Sequence, residues 1–290
     1  MKKVLAVQRA PAQHWVGDGF PVRSLFSYDS GQTARLSPFL LLDYAGPMEF
    51  ERSDKPRGVG EHPHRGFETV TLVYHGEVAH RDSTGQGGVI GSGDVQWMTA
   101  GGGILHEEFH SKTFTQTGGL LEMVQLWVNL PTRHKMTRPR YQAIRNQDIP
   151  EVELPDKSGT VRVIAGPYGA FTGPAHTFTP MTVLDLRLHS GQARLNLANG
   201  WNTLLAVLKG KLTVNGDCFA EAAQLVILDR VGSYLDIESP DGATLLLLAG
   251  EPINEPVVGY GPFVMNTQDE IQQAMADYRS GKFGRMPDLD

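Results

Sequence analysis

The sequence predicts an all-β protein that consists of two β-barrels in tandem and ends in one short helix. The 290 residues include 33 glycines and 18 prolines, which occur at short intervals as in turn-rich β proteins. Short alternating or apolar segments, separated by turn residues, continue to about residue 260. A partial internal repeat further indicates that one barrel is present twice.

Individual strands are predicted where β-branched and aromatic residues alternate with polar ones or form short apolar runs. Such strands are expected at 68–74, 89–90, 95–98 and 123–130. Helical periodicity occurs at 268–278, where Ile271, Met275 and Tyr278 share one face. Thr267 and Glu270 have the spacing of a capping box, so we expect the helix to begin there.

The internal repeat consists of two similar stretches, one in each half of the chain, and each is followed by a predicted strand and turn. Residues 65–69 have their counterpart in 199–203, and similar strands and turns follow both. The polar, proline-marked stretch 131–140 is predicted to connect the two copies. We therefore expect an N-terminal barrel over residues 1–135 and a C-terminal barrel with the terminal helix over residues 136–290.

Charge, cysteine content and apolar runs exclude several classes of protein. The formal net charge is −6 and no run of lysine or arginine occurs, which disfavours direct binding to nucleic acid. Cys218 is the single cysteine, so no intramolecular disulfide can form, as is typical of a reducing compartment. The longest apolar run, Leu245–Ala249, is too short to span a membrane, and the run after Met1 is interrupted at Gln8, too early for an export signal. We expect a cytoplasmic protein without membrane contact.

Two short motifs, His62-Pro63-His64 and His106-Glu107-Glu108, are the strongest indication of function. Side chains spaced i, i+2 lie on one face of a β-strand, so two neighbouring strands could direct three imidazoles and a carboxylate at one point. Imidazole and carboxylate groups bind divalent iron, zinc, copper, nickel and manganese. Without a partner, burying such groups would cost about 2–7 kcal/mol for each polar group. A metal site is therefore favoured over an ordinary core role.

The second copy of the repeat contains no histidine at the positions that correspond to the four candidate ligands. These positions are Asn196, Ala198, Asp236 and Glu238. We therefore expect one metal ion per chain, bound in the N-terminal barrel.

These motifs resemble those of the pirin family, which belongs to the cupin superfamily of small β-barrels. His62–Val70 and Gly93–Glu108 match the two main motifs of the family closely. Supporting stretches are Ser37–Asp43, Leu126–Pro131 and Gly261–Asn266. The resemblance covers nearly the whole chain and rests on five motifs in the same order.

The resemblance implies a bicupin that holds one divalent transition metal, usually iron, with zinc, manganese, copper, nickel or cobalt as alternatives. The implied ligands are His62, His64, His106 and Glu108, and Glu108 is also the implied general base. Some pirins cleave the flavonol quercetin with dioxygen, which implies a small aromatic substrate and O2. Others act as protein partners in transcription or of metabolic enzymes, so an iron-dependent interaction protein without turnover is the alternative.

Three further alternatives concern the site itself. The general cupin pattern places the carboxylate ligand four residues after the second histidine, at Glu68, whereas the family motif favours Glu108. A metal-free cupin isomerase or epimerase with a histidine base is disfavoured, because it would leave the four-ligand set unexplained. Four further side chains could line the mouth of the cavity, but such residues more often belong to the hydrophobic core, and we do not count them in the site. They are Trp97, Met98, Gln125 and Trp127.

Overall fold

The computed structural model describes residues 1–287, and most of its regular structure is β-strand. The strands of the first half are β1 (Val4–Arg9), β2 (His14–Val16), β3 (Phe20–Ser27), β4 (Phe39–Phe50), β5 (Gly58–His64), β6 (Phe67–His75), β7 (Val78–Asp82), β8 (Gly87–Ile90), β9 (Val95–Thr99), β10 (Ile104–His110), β11 (Gly119–Asn129) and β12 (Arg140–Ile144). Those of the second half are β13 (Glu151–Glu153), β14 (Gly159–Ala165), β15 (Pro167–Tyr168), β16 (Phe171–Thr172), β17 (Met181–Leu188), β18 (Gly191–Asn196), β19 (Asn202–Val214), β20 (Cys218–Glu221), β21 (Gln224–Leu228), β22 (Tyr234–Ser239), β23 (Ala243–Gly250), β24 (Val258–Tyr260) and β25 (Phe263–Met265). The α-helices are α1 (Thr33–Leu36), α2 (Lys112–Thr117) and α3 (Gln268–Arg279).

The described chain forms two compact units, each assembled from three segments. The N-terminal unit contains residues 12–31 and 40–146 and the chain from Asn254 onward. The C-terminal unit contains residues 1–11, 32–39 and 147–253. The domain boundary expected between residues 135 and 136 stays a prediction, and each unit contains segments from both sides of it.

The N-terminal unit is built on two antiparallel sheets. The larger sheet has the strand order β12-β9-β6-β11-β4-β3-β2, and the smaller sheet has the order β5-β10-β7-β8. Strand β6 is buried at every position from Phe67 to Tyr74, which is expected for a strand that is covered on both faces. The strands predicted at 68–74, 89–90, 95–98 and 123–130 lie within or overlap β6, β8, β9 and β11.

The C-terminal unit repeats the strand order of the N-terminal unit. Its main sheet has the order β1-β21-β19-β23-β17-β14-β13, in which β21-β19-β23-β17-β14 corresponds to β9-β6-β11-β4-β3. Strands β18 and β22 pair with each other as β5 and β10 do. This shared strand order agrees with the prediction of two tandem barrels.

The interior of the C-terminal unit is apolar at the strands that correspond to β5 and β10. Ala193, Leu195, Leu235 and Ile237 from β18 and β22 are part of its hydrophobic core. Asn196 and Glu238, which the repeat aligned with candidate ligands, are exposed, and Asp236 forms an ion pair with exposed Arg194. The alignment was therefore wrong at these strands, because a shift of one residue moves a side chain to the opposite face of a strand.

The C-terminal helix forms as the sequence predicts. Helix α3 begins after Thr267, whose side chain accepts a hydrogen bond from the Glu270 amide while the Glu270 carboxylate accepts one from the Thr267 amide. Ile271 is buried, and Met275 packs against the same apolar cluster. No helix among residues 1–287 is both long and apolar enough to cross a membrane.

Candidate metal centre

The pairing of β5 with β10 brings the three candidate histidines together. His62 lies directly opposite His106 in the antiparallel register, and His64 lies two residues further along β5. The ring centroids of His62 and His106 are 4.2 Å apart, those of His64 and His106 4.7 Å, and those of His62 and His64 4.8 Å. One nitrogen from each ring can be chosen so that all three lie within 4.8 Å of one another. This arrangement could hold a metal ion.

Burial keeps the three imidazoles in the neutral form that binds metals. His64 and His106 are almost fully buried, and burial followed by their imidazole neighbours lowers the pKa of each well below its ordinary value. Burial also lowers the pKa of His62, although the Gly60 carbonyl and the Glu107 charge oppose that shift. Since a protonated imidazole has no free lone pair, these shifts favour metal binding at neutral pH.

The hydrogen bonds of the rings are also those expected of metal ligands. His106 is 0% exposed, and neither of its ring nitrogens has a hydrogen-bond partner in the part of the chain that the structure describes. A buried polar atom without a partner is costly, and a cation at this position would remove that cost. The Nδ1 atom of His62 lies 2.8 Å from the Gly60 carbonyl oxygen, which leaves its Nε2 free for a metal. The residues present therefore fit a divalent transition metal.

Glu108 lies on the same strand as His106, but its carboxylate does not belong to the group of histidine nitrogens described above. Strand β10 is paired with β7 in unbroken register from His106 to His110, so His106 and Glu108 project from one face. Glu108 is 7% exposed, and its Oε1 atom lies 3.4 Å from the Thr71 hydroxyl. Burial raises the pKa of Glu108 to about 7, and the hydrogen bond from Thr71 opposes the shift.

Glu68, the alternative carboxylate, lies on a different face of β6. Its Oε1 atom accepts a hydrogen bond of 2.7 Å from Thr99, opposite which it lies in the sheet. Thr71, which contacts Glu108, is three residues away on the same strand and therefore points to the other side. The alternation that begins at His62 does not extend to Glu68, because Gly66, with φ of +90°, separates β5 from β6.

An aromatic wall borders His64, and its central residue, Trp127, is not among the predicted site residues. The ring centroid of Trp127 lies 5.3 Å from that of His64, and Trp127 stacks on Phe67 at 4.3 Å. Tyr28 also stacks on Trp127, with ring centroids 6.4 Å apart. Trp127 and Gln125 lie on the same face of β11, and both are half-buried. Trp127 lies opposite Thr69 in the pairing of β11 with β6. That register is known only from the folded sheet, so the sequence gives no signal that would assign Trp127 to the site.

A second set of polar side chains adjoins the site on strand β7. His80 lies opposite Glu108 in the sheet, and Asp82 lies opposite His106. The Tyr141 ring stacks on His80 with centroids 4.9 Å apart. Burial lowers the pKa of His80 to about 4, and burial together with the Asp82 and Glu108 charges raises the pKa of Tyr141. No motif marks these residues in the sequence, because β7 and β12 become neighbours of the site only through the fold.

An open cavity of the N-terminal unit lies beside the histidine cluster but does not include it. It measures about 540 Å³ and is lined on one side by Ala79 and Arg81 of β7 and by Glu107 and Phe109 of β10. His80 and His110 also line this cavity, whereas His62, His64, His106 and Glu108 do not. Arg81 and Glu107 form an ion pair there.

Family models and known proteins agree on what this chain resembles. The model of the pirin domain matches residues 19–128, and the model of the pirin C-terminal cupin domain matches residues 183–284. The chain belongs to the pirin family. Its architecture is therefore the bicupin that the sequence motifs implied, which confirms the predicted fold class.

Among members of the pirin family, similarity extends over whole chains. A Pseudomonas aeruginosa protein described as a candidate quercetin 2,3-dioxygenase is 57% identical over 287 residues, which cover 98% of this chain and 99% of that protein. The crystal structure of a quercetin 2,3-dioxygenase from Acinetobacter baumannii is 53% identical with a TM-score of 0.95, and covers 98% of this chain and 99% of that one. Human pirin is 36% identical over 274 residues, which cover 92% of this chain and 90% of that protein.

Proposed function

We propose that this pirin-family protein is a metal-dependent dioxygenase that cleaves quercetin or a related flavonol with O2. The observation that carries the proposal is the cluster of His62, His64 and His106 inside the N-terminal unit. The similarity to two proteins described as quercetin dioxygenases, one of them only as a candidate, supports the choice of substrate class. The single cysteine supports a cytoplasmic location.

The proposed metal is one divalent ion per chain, iron first, held by His62, His64, His106 and Glu108. When bound, the metal would supply Lewis acidity for a substrate oxyanion and the redox chemistry with dioxygen. The three imidazoles hold it in a neutral, buried setting, where a negatively charged substrate oxygen is stabilised more strongly than in water. Glu108 adds one negative charge, which offsets part of the charge of the cation.

Glu108 is the proposed general base for the flavonol hydroxyl. Its buried carboxylate lies on the same face of β10 as His106, and an ionised carboxylate beside the proposed metal can accept the proton of the hydroxyl. The Thr71 hydroxyl lies 3.4 Å from Oε1 of this carboxylate and 2.6 Å from Oε1 of Gln125, so both side chains are within reach of its single proton. Imidazoles whose lone pairs bind the metal are not available for this step.

The aromatic wall gives the site an apolar surface for a planar substrate. Trp127 and Phe67 stack on each other next to His64 and would contact the rings of a flavonol. Because Trp127 is half-buried, this wall reaches from the cluster toward the solvent. An aromatic substrate could therefore place a hydroxyl near the histidines while its rings pack on the wall.

The test uses Glu108→Gln in iron-loaded protein, with oxygen consumption in the presence of quercetin as the measurement. We expect the wild-type protein to consume O2 and the variant to lose about 10²–10⁴-fold in rate, as is typical for removal of a general base. Metal content measured on the same samples separates the two proposed roles of Glu108. A variant that keeps its iron has lost the base alone, whereas one that releases iron has also lost a ligand.

The matched control is Glu107→Gln, one residue away on the opposite face of β10, where Glu107 pairs with Arg81. It should turn over quercetin at the wild-type rate. Unchanged turnover in Glu108→Gln would remove Glu108 from the mechanism. If iron-loaded wild-type protein consumes no O2 with any of several flavonols, the proposed activity is wrong and an iron-dependent interaction protein becomes the better hypothesis.

A further inference from the structure

A buried ion pair connects the turn after His64 to the C-terminal helix. Arg65 is 4% exposed, and its Nη1 atom donates to Asp277 Oδ2 of α3 at 2.9 Å. Its Nε atom donates to the Gly102 carbonyl oxygen at 2.7 Å. The residue that follows one proposed ligand thus contacts both α3 and the loop that leads to His106.

The chain after α3 contacts that second loop directly. The Phe283 ring lies under the Arg65 guanidinium, 4.7 Å from its centroid, and is 3% exposed. A Cβ atom on Gly103, where φ is +129°, would lie 2.5 Å from this ring, so only glycine fits. Ser83 donates from its hydroxyl to the Phe283 carbonyl at 2.6 Å and accepts from the Leu105 amide at 3.1 Å.

The backbone of the first loop is held by β25 of the same C-terminal segment. The Val264 amide donates to the Arg65 carbonyl at 3.0 Å, and the Arg65 amide donates to the Pro262 carbonyl at 3.2 Å. A Cβ atom on Gly66 would lie 2.0 Å from the Val264 carbonyl oxygen. The ammonium group of buried Lys135 donates to the Gly66 and Val264 carbonyls, each at 2.8 Å.

We propose that the segment Pro262–Phe283 positions the loops that follow β5 and precede β10, the two strands that carry the histidine ligands, with the Arg65–Asp277 pair as the main connection, and so sets how tightly the metal is held. Three imidazoles bind one ion well only if their relative positions are fixed to a fraction of an ångström. The loops at Gly66 and Gly101–Gly103 are rich in glycine, so their backbones are permissive, and this one segment contacts both. The inference rests on the proposed metal site and does not depend on flavonol cleavage.

The test compares wild-type protein with Asp277→Asn after loading with Co2+, which reports the ligand arrangement through its visible absorption. Asparagine keeps the shape of the side chain but removes the charge that partners Arg65. We expect Co2+ release to a chelator to become about 10–100-fold faster, the range typical when support around metal ligands is lost, together with a changed cobalt spectrum. Phe283→Leu removes the ring under Arg65, and we also expect it to release Co2+ faster and to change the cobalt spectrum. If Asp277→Asn does not fold, Phe283→Leu is the variant to be compared with wild-type protein.

The control is Lys282→Met, which removes another ion-pair partner of Asp277, at 2.7 Å, but leaves Arg65 in place. This variant should release Co2+ at the wild-type rate. If folded Asp277→Asn or Phe283→Leu keeps both the wild-type release rate and the wild-type spectrum, the proposal is wrong. A second outcome also contradicts the proposal: the variant releases Co2+ faster, its cobalt spectrum is unchanged, and its metal-free form melts at a lower temperature. Loss of stability would then explain the faster release. Failure of wild-type protein to cleave flavonols would contradict the proposed function alone, because the cobalt measurement needs no turnover.

Discussion

At the scale of single residues, the site combines three imidazoles that would repel one another if they were charged. His106 shows the consequence most clearly, because it is fully buried and its pKa is lowered by burial and then by its neighbours His64 and His62. In the metal-free protein such a residue contributes no favourable hydrogen bond among the described residues. Its position in the barrel is therefore better explained by metal binding than by stability.

His80 leads to a prediction on the pH dependence of stability in metal-free protein. Burial lowers its pKa to about 4, whereas a histidine in the unfolded chain has a pKa of about 6.5. Between these values unfolding takes up a proton, so the free energy of unfolding decreases as the pH falls. In His80→Gln this contribution is absent, and we expect a smaller decrease between about pH 6.5 and about pH 4.5, measured by urea unfolding.

Other buried groups titrate in the same range, so the comparison must be between variants. The histidines with lowered pKa values act in the same direction as His80, and Glu68 and Glu108, with raised values, act in the opposite direction. His189→Gln, at an exposed position of the C-terminal unit, is the control and should follow the wild-type curve. A decrease in His80→Gln as large as in wild-type protein would show that His80 is not the buried neutral group described here.

At the scale of elements, α3 is a short helix whose start is defined by local hydrogen bonds. The Thr267 hydroxyl oxygen accepts a hydrogen bond of 3.2 Å from the Glu270 amide, and substitution of Thr267 by Ala removes this acceptor. We expect the free energy of unfolding of the N-terminal unit to fall by about 1 kcal/mol, the usual effect of removing an N-cap. Urea unfolding of the full chain is the measurement, and Gln272→Ala, at an exposed position of α3, is the control. Equal stability of Thr267→Ala and wild-type protein would contradict the capping role.

Elements with a local signal were predictable from sequence, and elements defined by distant partners were not. The i, i+2 spacing predicted that His62 and His64 share a face, and the capping box predicted the start of α3. By contrast, β1 pairs with β21 across more than half of the chain, and no local pattern indicates that partner. The same limit explains the shifted alignment at Asp236, because the face of a strand depends on its register in the sheet.

At the scale of the whole molecule, the two units share a strand order but differ in what their interiors contain. The strands that supply histidines in the N-terminal unit correspond to strands that supply Leu195, Leu235 and Ile237 in the C-terminal unit. An apolar core stabilises a barrel through burial, whereas an interior with polar groups requires a ligand or water to satisfy them. The two units thus share one strand order, and among the described residues it is the N-terminal unit that contains a histidine cluster able to hold a metal.

This difference predicts the metal content of the protein. Elemental analysis after loading with Fe2+ should give about one ion per chain, because the described residues offer one cluster of three histidines. His62→Ala and His106→Ala should each lose tight binding and keep the fold, since His106 gives up no hydrogen bond within the described residues when it is removed. Circular dichroism checks the fold, and His189→Ala is the control that should keep its metal. Two ions per chain in wild-type protein would show a second metal site, and full metal content in both barrel variants would show that the metal lies elsewhere.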